Sequence, residues 1–140
     1  MTRTEHNLEK AISGEAKARL EYMAFAMQAM QEGYPQIAQL FMEAAGAETI
    51  HGINHMRAAK RIGSTFENLD EAANGEDYEI EHMYPGFLRE AVEEGQEDAA
   101  ASFHLALERE KHHRAMFKEA FEEFKAGLIE QDYTLPQVQQ

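Results

Sequence analysis

Asn7-Leu8-Glu9-Lys10-Ala11-Ile12-Ser13-Gly14-Glu15 returns sixty-one residues later as Asn68-Leu69-Asp70-Glu71-Ala72-Ala73-Asn74-Gly75-Glu76. Further on, Tyr22, Phe25, Glu32-Gly33, Phe41, Glu48 and His51 recur at an offset of sixty-two as Tyr84, Phe87, Glu94-Gly95, Phe103, Glu110 and His113. The chain is a tandem of two similar halves. The polar residues common to both are a Glu followed by a Glu-x-x-His, the residue types that hold two metal ions inside a helical bundle.

The 140 residues suffice for one domain with a real core. A helical domain is expected over residues 1–130, followed by a loose tail over 131–140 that contains Pro136. The chain has no cysteine, which excludes disulfides, zinc–thiolate sites, iron–sulfur clusters and thiol nucleophiles. A formal charge of −13 argues against nucleic acid and anionic membrane surfaces as partners. The opening residues Met1 to Asn7 lack the apolar run of a signal peptide, and no stretch reaches membrane-spanning length. A soluble, cytoplasmic protein is the expectation.

Few prolines and abundant Ala, Glu, Met, Gln and Leu favour helix. Apolar periodicity predicts four long segments forming two hairpins, about 5–62 and 66–129. The first segment runs from about Glu5 to Glu32 and stops at Gly33, with Leu8, Ala11, Ala18, Tyr22, Phe25 and Ala29 inward. Glu15 falls on that stripe. The second runs from Pro35 to about Ile62, with Ile37, Phe41, Ala44, Glu48, His51 and His55 on one face. The third runs from about Phe66 to Glu94, with Glu76 and Glu79 inward and a kink at Pro85. The fourth runs from about Gln96 to Ile129, with Phe103, Leu107, Glu110, His113, Phe117, Phe121 and Phe124 on or near its buried face.

Between Glu76 and Tyr84 the repeat offset changes from sixty-one to sixty-two. One extra residue inside a helix is most simply absorbed as a π-bulge, a feature common at functional sites. Glu79 lies in that interval, where the first half has Ala18.

Residues spaced as Glu-x-x-His share one helix face and can reach the same metal cluster. Carboxylates supply hard oxygens that can bridge two cations, and imidazole supplies a nitrogen suited to iron. Burying so many carboxylates without cations is prohibitively costly. The candidate ligands are therefore Glu15, Glu48, His51, Glu76, Glu110 and His113, with Glu79 as an asymmetric addition. His55 reads as support or packing, and His82, His104 and His112 as surface or packing residues. Tyr22 and Tyr84 either pack in the core or hydrogen-bond a ligand carboxylate. The methionines read as core filler, since thioethers suit softer metals.

Several motifs carry a specific likeness: Arg3-Thr4-Glu5, Gly14-Glu15, Ala18-Arg19 before Tyr22, Gly33-Tyr34 and Glu48-x-x-His51. The second half adds Gly75-Glu76-x-x-Glu79, Met83-Tyr84-Pro85-Gly86-Phe87, Glu93-Glu94-Gly95 and Glu110-x-x-His113. In these the sequence resembles the di-iron domain of rubrerythrins, of the ferritin-like superfamily, over about residues 3–125. The resemblance implies an all-α, ferritin-like four-helix bundle holding two iron ions per site, although manganese or mixed iron and zinc would suit the same ligands. It implies iron ligands at Glu15, Glu48, Glu76, Glu79, Glu110 and His113, with His51 at the same centre. Glu48 and Glu110 match bridging carboxylates, and His51 and Glu79 match the pair that exchange at one iron with redox state. The implied activity is reduction of hydrogen peroxide to water, with Glu48, His51, Glu79 and Glu110 at the chemistry. The alternative is an oxygen-consuming iron oxidase or ferritin-like iron handler.

The family's rubredoxin domain is missing here, so electrons are expected from a separate donor such as a rubredoxin. The join between the halves is also short. In ferritin-like topology the second and third helices run parallel, and the link would span roughly 30 Å. Gly63, Ser64 and Thr65 with a frayed residue on each side reach about 17 Å. A domain-swapped homodimer is the expectation, with Glu15, Glu48 and His51 from one chain and Glu76, Glu79, Glu110 and His113 from its partner.

Overall fold

Each half begins with a hydroxyl side chain that caps a helix. Thr2 Oγ1 accepts the Glu5 N–H while the Glu5 carboxylate accepts the Thr2 N–H, and Ser64 with Glu67 repeats this reciprocal box. The computed structural model describes residues 1–131. In chain order it contains α1 (Arg3–Gln31), α2 (Pro35–Ala58), α3 (Thr65–Tyr78), a π-helical segment (Glu79–Met83), α4 (Tyr84–Glu93) and α5 (Glu97–Lys125). There is no strand among the described residues. The all-α expectation holds, and the tail beyond Gln131 lies outside the described residues.

The chain divides into two units, Met1–Ile62 and the residues from Gly63 onward. In the first, α1 packs on α2; in the second, α3, the π-helical segment and α4 pack on α5. Each unit is a helical hairpin. Their tight connections close with glycine in the left-handed region, Gly33 at φ 83° and Gly95 at φ 70°. In each, the following N–H reaches back to close the helix: Tyr34 to Ala29 O and Gln96 to Ala91 O.

Two helix ends differ from the expected ones. α2 stops at Ala58 rather than near Ile62, because Lys60 adopts φ 55° and the Arg61 N–H bonds Met56 O. A lysine carries no sequence signal for that conformation, so the periodicity reads through it. α5 stops at Lys125 rather than Ile129, because Gly127 takes φ 72° and the Leu128 N–H bonds Glu123 O. Lysine in the left-handed region costs roughly 1 kcal/mol relative to glycine. Lys60→Gly is expected to raise stability by about that amount, measured by urea unfolding.

The expected bulge is present where the repeat offset changes. Residues Glu79–Met83 are π-helical, and the Tyr84 N–H bonds Glu79 O five residues back. Pro85 sits in the first turn of α4, where its missing N–H is tolerated.

A two-helix hairpin has one narrow seam, and alanine fills it. Ala26, Ala29, Ala38 and Ala45 are buried in the first unit, and Ala73, Ile80 and Ala91 in the second. Flanking residues of the expected inward stripes are more open: Phe25 is 46% exposed, Ile37 45% and Phe124 38%. The expectation placed them inward because it counted a full bundle's width, whereas one hairpin covers only the seam. The repeated aromatics form matching clusters, Tyr22 with Phe25 and Phe41, and Tyr84 with Phe87 and Phe103.

Candidate metal centre

Helix spacing brings the expected ligands together within each unit. In the first, Glu15 on α1 faces Glu48 and His51 on α2, with one donor atom from each within 4.8 Å of the others. His51 Nδ1 lies 3.5 Å from Glu48 Oε2 and 3.8 Å from Glu15 Oε2. In the second, Glu76 on α3 faces Glu110 and His113 on α5 under the same limit. His113 Nδ1 lies 3.2 Å from Glu110 Oε2 and 4.0 Å from Glu76 Oε1. The two constellations occupy equivalent places in the repeat.

Both carry the same defect. Glu15 Oε2 and Glu76 Oε2 are buried with no hydrogen-bond partner. A buried carboxylate oxygen left unpaired is strongly unfavourable unless a proton or a cation meets it. That two such oxygens stand at repeat-related positions, each beside a Glu-x-x-His, fits a pair of bound metal ions. The donors are carboxylate oxygen and imidazole nitrogen, which suit iron or manganese.

The protonation pattern is paired as well. Glu15 is held above the usual carboxyl range, first by its hydrogen bond to Glu48 and then by burial, while the same bond holds Glu48 low. In the second unit burial first, and then the bond and charge of Glu110, push Glu76 up to about 7. The hydrogen bond from Glu76 keeps Glu110 low. Glu79, half-buried at the start of the π-helical segment, is raised by burial and by the Glu110 charge. Tyr84 is raised by burial and by Glu79, Glu110 and Glu76, which places its ring among these carboxylates.

A pH dependence follows. The folded pKa of Glu76 lies above its ordinary 4.5, so folding of the metal-free chain takes up a proton between those values. This group's contribution therefore weakens the metal-free fold as pH rises from 4.5 to about 7. If Glu76 ligates metal, binding expels the same proton, and ferrous affinity should then fall about tenfold per pH unit below pH 7. Calorimetric titration in buffers of different ionisation enthalpy measures that proton directly.

The remaining histidines sort themselves by position. His55 Nε2 lies 3.9 Å from Glu15 Oε1, in keeping with a supporting role. Its repeat counterpart is Phe117, so the repeat gave no signal for it. His82 packs near Tyr78, and His104 and His112 are exposed. Sequence reasoning missed an ion cluster beside the second set. Arg114 Nη1 donates to Asp77 Oδ1 at 3.3 Å and Glu81 Oε1 at 2.9 Å, and Lys118 Nζ donates to Asp77 Oδ1 at 3.0 Å. Its only sequence trace is a pair of acids spaced four apart, Asp77 and Glu81, and a pair of bases spaced four apart on α5, Arg114 and Lys118.

Comparison with known proteins bears on these sites. Residues 6–121 match the rubrerythrin family. Rubrerythrin-2 of Clostridium acetobutylicum is 36% identical over 127 residues, covering 81% of this chain and 69% of the relative. Nigerythrin of Nitratidesulfovibrio vulgaris is 39% identical over 137 residues, covering 88% and 68%. Rubrerythrin of Porphyromonas gingivalis is 40% identical over 129 residues, covering 83% and 64%. Among solved structures, the fully reduced, all-ferrous state of nigerythrin aligns at 36% identity with a TM-score of 0.46, covering 90% of this chain and 69% of that one.

Proposed function

This chain belongs to the rubrerythrin family, and on that premise we propose that it reduces hydrogen peroxide to water at a di-iron centre. Its all-α hairpins and family place it in the ferritin-like class of di-iron proteins. The observation that carries the peroxidase reading is the repeated Glu/Glu/His set with its matched, unpartnered buried oxygens. A reduced di-iron pair supplies the two electrons that cleavage of an O–O bond consumes.

The chain's residues have distinct parts in this reading. Glu15, Glu48, Glu76 and Glu110 would hold the ions. His113 and His51 would add nitrogen donors. Glu79 would add a further carboxylate to the set, and the π-helical segment gives it a place that the first half lacks. Glu79 is held above the usual carboxyl range, first by burial and then by the Glu110 charge. The five carboxylates Glu15, Glu48, Glu76, Glu79 and Glu110 offset most of the charge of two ferric ions. Electrons would arrive from a separate donor protein such as a rubredoxin.

The centre would be completed in a homodimer by exchange of hairpins. α2 passes His51 by seven residues and α3 precedes Glu76 by eleven, together about 27 Å of helix. Seven residues from Ala58 to Thr65 reach at most about 25 Å when fully extended. Ala59 and Lys60 are turned back into the helix end, which shortens that reach further. A parallel α2 and α3 within one chain is thereby disfavoured. Light scattering should give the mass of a dimer; a monomer with full iron would rule the exchange out.

The test of activity is anaerobic stopped-flow on the iron-loaded, reduced protein. Rapid oxidation by peroxide and slow oxidation by oxygen is expected. The opposite preference would make it an oxidase or iron handler.

A further inference from the structure

The repeat predicts that the outer grooves of the two hairpins should be alike, and they are not. In the second hairpin the groove beside Glu76 and Glu110 is spanned by the Asp77, Arg114, Glu81 and Lys118 ion cluster. At the repeat-related positions the first hairpin has Ala16 for Asp77, Gly52 for Arg114 and Met56 for Lys118. Small and apolar residues stand where charged ones bridge the other groove. An open cavity of about 240 Å³ results between α1 and α2.

The cavity's wall and its far end differ in chemistry. Ile12, Ala16, Ile53 and Met56 are apolar, while Glu15 and Glu48 of the first Glu/Glu/His set, with Arg19 and Thr49, also line it. Gly52 lies so near that a Cβ there would sit 3.4 Å from the Glu15 Cβ, so any larger side chain would project into this space. The volume is below the roughly 300–1,000 Å³ of pockets for drug-sized ligands and equals about eight waters. It suits a molecule of a few carbons with one polar end.

Resting on the peroxidase reading above, we infer that the α1–α2 cavity is a binding pocket for small alkyl hydroperoxides. The alkyl group lies against Ile12, Ala16, Ile53 and Met56, and the hydroperoxyl group points to Glu15 and Glu48. Reduction cleaves the O–O bond with two electrons from the reduced di-iron pair and two protons from solvent. The products are the alcohol and one water, and the iron ends two electrons more oxidised. In the second hairpin Arg114 and its partners span the corresponding groove.

The test compares hydrogen peroxide with tert-butyl hydroperoxide on the full-length, iron-loaded, reduced protein by stopped-flow. Tert-butyl hydroperoxide should react within about tenfold of the hydrogen peroxide rate. Ala16→Phe, which fills the cavity from α1, should lower the ratio of the two rates at least tenfold with iron content unchanged. Met56→Trp, acting from α2, should do the same. A crystal of the oxidised, iron-loaded protein soaked in tert-butyl alcohol should show the alcohol against Ile12 and Ile53. Fast hydrogen peroxide with inert tert-butyl hydroperoxide overturns the pocket and leaves the peroxidase reading standing. An unchanged ratio in both variants, or an empty cavity in the soak, also overturns the pocket. Inertness toward both peroxides overturns the peroxidase reading itself.

Discussion

Glu110→Ala is expected to lose peroxide reduction by at least about 100-fold and to bind less iron than the parent protein. Glu110 is tied to the rest of its set: its donor atom lies within 4.8 Å of one on Glu76, its Oε2 is 3.2 Å from His113 Nδ1, and its charge helps raise Glu79. Removing it deprives Glu76 of its partner without relieving the burial that raises it. A carboxylate proposed to hold metal is lost in the same step. Glu48→Ala, its repeat counterpart, should behave alike, and that equality is informative. A purely structural role would fall unequally, since the second set also includes Glu79. Iron analysis with steady-state turnover measures both effects, and full iron with full turnover in both variants would refute the ligand assignment.

Stripping the iron is expected to lower the melting temperature by about 10 °C or more. The seam within each hairpin is mostly alanine, so apolar burial inside a unit is slight. A metal bound only by the folded state stabilises it by about 4 kcal/mol when free metal exceeds its Kd a thousandfold. At about 2–4 °C per kcal/mol for a chain of this size, one ion alone gives that shift. Calorimetry of loaded and chelated protein at one concentration reads it. The difference should widen from pH 5 to 7. Over that range the metal-free chain weakens as Glu76 is forced to ionise, and loading strengthens as the same proton leaves more easily. A chelated protein as stable as the loaded one would mean that these carboxylates are satisfied without metal.

The repeat was a strong guide because it reported geometry as well as composition. Two stretches offset by sixty-one and then sixty-two residues cannot both be regular helix, and the surplus residue lies in the π-helical segment at Glu79–Met83. The grouping of each Glu with a Glu-x-x-His was legible for a related reason: a Glu on an apolar stripe, as at Glu15, signals a partner that offsets its burial. Helix ends were less legible: the stop at Gly127 was overrun as far as Ile129. Lys60 closes α2 in a conformation that lysine rarely adopts, so the apolar pattern ran on to Ile62. Burial was overestimated at Phe25 and Ile37, since periodicity marks an apolar face without saying which neighbour covers it. The Arg114 cluster escaped notice because the repeat has Ala16, Gly52 and Met56 in its place. Departures from a repeat carry little signal until both halves are seen folded.

The two Glu/Glu/His sets are proposed to hold one iron pair between them. Mössbauer spectroscopy of the oxidised, ⁵⁷Fe-loaded protein addresses that most directly. A diamagnetic, exchange-coupled diferric pair is the predicted result. Magnetically isolated high-spin ferric ions, one for each set, would contradict it.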